Sequence, residues 1–228
     1  MRTRQLFTSS VGTKLLIALT GLALSGFLVF HLAGNLLLFF GPEQYNEHAH
    51  SLISNPLVVP AELGLIAIFL LHVFKAISNY LGNRKARPVG YEAKAWAKGP
   101  SRKSWASTTM IVSGLITLAF VPLHLLTFKY GPHYASPEAG VRDLYRLLIE
   151  VFQRPGYVVF YVFAMTVTAM HLRHGVSSSL QSLGLIPARW IRAFLAAGLL
   201  LALAVGTGFV LIPVYIYLFV TPGGPRLP

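Results

Sequence analysis

The sequence predicts an all-α integral membrane protein with five transmembrane helices. Three observations carry that expectation. Of 228 residues, 54% are hydrophobic and 11% charged, and the mean hydropathy is +0.61, a membrane composition. Five segments are each apolar over about 20 residues, enough for a helix to cross a hydrocarbon layer of about 30 Å. Basic residues concentrate in alternate connections, as the positive-inside rule requires.

The expected spans are 15–40, 57–81, 106–128, 156–177 and 192–220. The first is too long for a signal peptide and lacks a small-residue cleavage site before its polar loop, so it reads as retained. Together the spans form one transmembrane domain, 1–228, without an internal repeat or low-complexity tail. With the N-terminus cytoplasmic, 14 of the 19 Lys and Arg residues fall inside and 5 outside, which orients the chain N-in and C-out. The Gly41–Pro56 loop, with Glu43 and Glu47 and no Lys or Arg, belongs outside. The basic segment 82–105 belongs to the cytoplasmic face, either as an orientation signal that meets anionic lipid or as a docking surface. In 129–155, Val141, Leu144, Tyr145, Leu148, Val151 and Phe152 recur at helical spacing, which predicts a short amphipathic helix in the outer interface.

The net charge of +12 does not signal nucleic acid, since no soluble domain carries a basic stripe for it. Absence of cysteine excludes disulfides, thiolate-held iron–sulfur clusters and covalent c-type haem.

Chemistry is carried by histidine. "FHLAGN", Phe30 to Asn35, places a polar ring inside an apolar run, where an unsatisfied group costs several kcal/mol. Of eight histidines, His48, His50 and His133 fall in outer loops; His31, His72 and His124 lie in the first three spans, and His171 with His174 in the fourth. At about 1.5 Å of rise per residue from the cytoplasmic ends, His31 and His124 stand about 24 and 27 Å up, and His72 and His171 about 14 and 9 Å. Two levels with two imidazoles each suggest two bis-histidine haems b, non-covalently held between facing helices. Neither level offers the four ligands of a structural zinc site. A lone intramembrane histidine is more often a helix-to-helix hydrogen bond or a proton relay. His171 is favoured over His174 as the ligand because it is deeper, leaving His174, Arg173 and Lys75 as contacts for the inner haem propionates. Glu62, in "PAELGL", is the one acid at the entry of a span; it is a candidate for quinone or proton handling, or else a glutamate exposed at the interface. Pro122 and Pro213 can kink their helices, and Gly21, Gly26, Gly34 and Gly64 can admit a close neighbour.

The stretches "SSVGTKLLIALTGLALSGFLVFHLAGNLLLFFGPEQYNEHAH" and "RPGYVVFYVFAMTVTAMHLRHGVSSSLQSLGL", with single histidines in the second and third spans, resemble the dihaem cytochrome b anchor of succinate:quinone oxidoreductases. The resemblance implies a four-helix haem-binding bundle with a peripheral fifth helix. His31 and His124 would hold the distal haem b, His72 and His171 the proximal one. It further implies a quinone substrate, menaquinone above all, and docking of a flavoprotein subunit carrying FAD and an iron–sulfur subunit on the cytoplasmic face of a bacterial plasma membrane. Direction, succinate oxidation or fumarate reduction, stays open, as does assembly into a higher oligomer. The alternatives are a cytochrome b serving another dehydrogenase and a transporter with buried histidine relays.

Overall fold

The computed structural model describes residues 9–86, 109–136, 140–185 and 187–220. Within these the chain is helical apart from turns and one isolated antiparallel bridge between Ala135 and Arg142. The spans are α1 (Ser10–Leu36), α3 (Val58–Lys85), α4 (Met110–His124), α6 (Pro155–Ser182) and α7 (Ile191–Phe219). A 3-10 turn, Leu37–Phe40, prolongs α1, and a π-turn, Leu125–Lys129, prolongs α4. All five are long and apolar enough to cross a membrane. Their large apolar side chains face outward as often as inward, with Phe30 80% exposed; in a bilayer those side chains meet lipid, and backbone polar groups are satisfied within each helix.

Helix starts follow local chemistry. Ser9 caps α1 by accepting the Gly12 N–H at 3.0 Å. Pro155 opens α6 in its first turn, where a missing N–H costs nothing. Pro122 lies inside α4, two residues before His124, and the helix passes directly into the π-turn, a local rewinding typical of disturbed backbone bonding. The connections carry two further helices. The expected amphipathic helix is α5, Leu144–Phe152, with Asp143 as its N-cap, accepting the Arg146 N–H at 2.9 Å. It does not lie free on the surface: Tyr145, Leu147, Leu148, Val151 and Phe152 are buried in the main core. The outer loop after the first span folds as α2, Pro42–Ile53, a helix that its polar composition did not announce.

The fifth span, α7, packs along α6 and also meets α1, and α3 has no buried residue. Small residues explain the approach. A Cβ on Gly206 would stand 2.5 Å from that of Ala169, so only glycine allows the two helices this close there, and one on Gly208 would stand 2.7 Å from the end of the Leu32 side chain, which would have to move aside. The basic residues Arg2, Arg4, Arg87, Lys94, Lys98, Arg102, Lys103 and Arg226, including most of the 82–105 segment, lie outside the described residues.

The end of the bundle that carries α2 and α5, the one expected to be outer, is closed by a polar clamp. Buried Asn46 of α2 donates to Asp143 at 2.9 Å and accepts the Tyr145 N–H at 2.9 Å. Beside it Glu150 accepts from the Tyr134 hydroxyl at 2.6 Å and pairs with Arg146 at 2.8 Å, and the Arg146 guanidinium covers the Tyr134 ring at 4.2 Å. Hydrogen bonds from Tyr134 and then Arg146 hold the Glu150 carboxyl below the ordinary carboxylate range, and the same contact raises the Tyr134 phenol.

Asn46→Ala leaves the buried Tyr145 N–H without a partner and removes one of the two hydrogen bonds to the Asp143 oxygen, so it is expected to destabilise the outer cap by about 1–3 kcal/mol, read as faster amide exchange in α2 and α5 together. Since the folded Glu150 is more acidic than an unfolded carboxyl, its stabilisation is present above the usual carboxylate range and fades as pH falls through the folded value. Glu150→Gln is expected to remove that acid-side dependence from α5 exchange, with a small effect at neutral pH because both partners are exposed.

Candidate functional site

The four deep histidines fall into two groups that differ in what surrounds them. His31 of α1 and His124 of α4 come together, their ring centroids 5.8 Å apart and nearly perpendicular. Aromatic side chains enclose the pair. Phe27 stacks on His31 at 5.3 Å and Phe209 of α7 lies at 5.6 Å; Phe120 and Phe128 flank His124, each at 5.5 Å. The Tyr161 hydroxyl of α6 stands 3.4 Å from His124 Nδ1. The fifth span, which has no histidine, thus contributes Phe209 to this site.

Outward of His31, a polar ladder ties the helix end to the cap. The Asn35 amide donates to the His31 carbonyl at 2.8 Å, and the Tyr45 hydroxyl donates to the Asn35 oxygen at 3.2 Å. Tyr45 is buried, and burial pushes its phenol well above the ordinary range. His48 is not a freely solvated loop residue, since its ring lies against Gly34, where a Cβ would stand 2.8 Å from Nε2.

The second group is His72 of α3 and His171 of α6. Each is seated on the neighbouring odd-numbered span. His72 Nδ1 is 3.0 Å from the Thr20 hydroxyl of α1, and a Cβ on Gly21 would stand 3.2 Å from its Cε1. His171 Nδ1 is 3.0 Å from the Ser113 hydroxyl of α4, and a Cβ on Gly114 would stand 3.3 Å from its Cε1. Thr20, Ser113 and Gly114 escaped the sequence reading. Their signal is a hydroxyl followed by glycine, in "IALTG" and "MIVSG", but the first span also contains Ser25–Gly26 and the fifth Thr207–Gly208, so the letters alone do not select the two that hold imidazoles.

The remaining candidates are more dispersed. His174 is partly buried one turn beyond His171, Arg173 is exposed, and the Lys75 ammonium lies 5.8 Å from the centroid of the Phe74 ring. Glu62, at the outer start of α3, pairs with Lys129 at 2.5 Å, which joins the outer ends of the second and third spans. Both side chains are about two-fifths exposed (41% and 39%), a water-accessible pair rather than a carboxylate buried in hydrocarbon.

Among the described residues no group of three or more His, Asp or Glu side chains is arranged to hold a metal ion, which disfavours a zinc site. A haem iron asks for less: two neutral imidazoles from facing helices, with a flat apolar enclosure. The outer pair meets that description in its donors and its aromatic walls, and the inner pair in its donors and in the two glycines that let the rings settle between helices.

No family model matches the chain, and no solved structure matches it. Among curated proteins, it is 23% identical over 154 residues to the succinate dehydrogenase cytochrome b558 subunit of Bacillus subtilis (strain 168), an alignment that spans 67% of this chain and 69% of that protein. The relative supports the family resemblance carried by the histidine pattern: this chain is similar to a cytochrome b subunit of succinate dehydrogenase.

Proposed function

We propose that this chain is the membrane-anchor cytochrome b subunit of a succinate:quinone oxidoreductase, holding two haems b between four of its spans. The observation that carries the reading is the pairing of the deep imidazoles His31 and His124 on facing helices, with His72 and His171 seated alike on hydroxyls of neighbouring spans, in a chain similar to a succinate dehydrogenase cytochrome b subunit. His31 and His124 would ligate the outer haem, His72 and His171 the inner. When bound, haem b supplies one-electron redox chemistry between soluble partners and a membrane quinone.

The chain's own residues set the conditions for that chemistry. The aromatic walls from Phe27, Phe120, Phe128 and Phe209 exclude water from the outer site, which raises the energetic weight of every charge near it. Lys75, Arg173 and His174, toward the N-terminal end of the bundle, are the proposed partners for the inner propionates. That end also carries Lys14, Arg84, Lys85, Arg189 and Arg192, which supports docking of an iron–sulfur subunit and, through it, a flavoprotein on the cytoplasmic side, with N-in and C-out orientation in a bacterial plasma membrane. Quinone, menaquinone in this reading, would be handled at the outer end. There Glu62 faces water and the head of α4 together, and with Lys129 it can take up or deliver protons as quinone changes oxidation state.

The pyridine haemochrome spectrum of the purified protein is expected to give about two haems b per chain; a haem-free protein made with ample haem would overturn the reading and leave a transporter with histidine relays. Replacing His31 by leucine should remove one haem and spare the other, and His72→Leu the converse, whereas loss of both from each variant speaks against separate sites. Glu62→Gln is expected to lower quinone turnover by about 100-fold with haem content intact, and unchanged turnover would dismiss Glu62 from proton handling.

A further inference from the structure

The two inner histidines are held by the same local device on two different spans. In each case the imidazole meets a hydroxyl and the glycine that follows it. For His72 these are Thr20 and Gly21; for His171 they are Ser113 and Gly114. Thr20 has one hydroxyl hydrogen, and its oxygen lies 2.6 Å from the Leu16 carbonyl, with that of Ile17 at 3.2 Å. Ser113 likewise directs its hydrogen to the Met110 carbonyl at 3.1 Å. With the hydrogen directed to backbone, each hydroxyl oxygen is an acceptor toward Nδ1, an arrangement that asks for a hydrogen on Nδ1 of each ring.

We propose that Thr20 and Ser113 are positioning residues that fix His72 and His171 in the Nδ1–H tautomer and leave the Nε2 lone pair for the inner iron. The inference rests on the haem reading given above and goes beyond it by assigning how the inner ligands are aimed and tuned. A hydrogen bond from Nδ1–H makes the imidazole a stronger electron donor, which stabilises ferric iron and lowers the midpoint potential. The outer pair is built differently: His31 meets aromatic rings, and the hydroxyl at His124 Nδ1 is the Tyr161 phenol, at a longer 3.4 Å and with no glycine after it. The two levels thus differ in built-in hydrogen bonding, and the seats act on one haem only.

The test is a redox titration of haem absorbance in membranes containing the full complex, comparing wild type with Thr20→Val, Ser113→Ala and the conservative Thr20→Ser and Ser113→Thr. The expected result is two haems per chain throughout, with one midpoint potential moved upward in Thr20→Val and Ser113→Ala, the other unmoved, and the wild-type value regained in the conservative variants. Loss of a single haem in Thr20→Val that Thr20→Ser restores also supports the assignment. Haem-replete variants whose two potentials stay at wild-type values overturn it, as do equal shifts of both haems or a loss that the conservative variant does not repair. Failure of the underlying reading is a separate result, a wild type without haem.

Discussion

A polar ring in an apolar bundle has to be satisfied by the protein itself, because lipid offers neither donor nor acceptor. That constraint organises the interior of this chain. Each deep imidazole is met by a group from another span, and each such meeting brings two helices into a set register. Thr20 draws α3 toward α1, Ser113 draws α6 toward α4, and the His31 and His124 rings join α1 to α4. The remaining packing follows from size. Gly206 and Gly208 bring α7 against α6 and α1 and carry Phe209 to the wall of the outer site.

The two levels solve the same problem by different means. At the inner level, the hydroxyls of Thr20 and Ser113 meet the rings at 3.0 Å; at the outer level, aromatic faces enclose them, with the Tyr161 hydroxyl at 3.4 Å from His124. Hydrogen bonds orient a ring and polarise it, whereas stacking orients it with less electronic consequence. Two pairs of the same residue type therefore acquire different properties from their surroundings.

Much of this was legible in the sequence. Runs of apolar residues located five spans, and the ends differ by at most five residues from the helices observed. Histidine depth anticipated that His31 and His124 would meet. Other features left no mark of comparable strength. The helix Pro42–Ile53 is polar and short, and its buried Asn46 bonds a partner far along the chain. The seating of the fifth span along α6 is marked by Gly206 facing Ala169, a complementarity visible only when both surfaces are known. Glu62 drew notice as an acid at a span entry; its pairing with Lys129 depends on how the outer ends of the second and third spans approach. The hydroxyl–glycine pairs occur four times in the spans, and only the packing distinguishes the two that seat histidines.

The Asn46 clamp also bears on how the protein is assembled. Its two halves, Asn46 and Asp143, are separated by 97 residues, with the second and third spans between them. The first outer connection is made early in synthesis but has no partner until the next outer connection has crossed the bilayer. Closure of the cap is therefore a late event, contingent on the third span having delivered its far end to the outer side. A chain inserted with that span misplaced would leave Asn46 and the N-terminus of α5 on opposite sides of the membrane, so the clamp acts as a built-in check on topology.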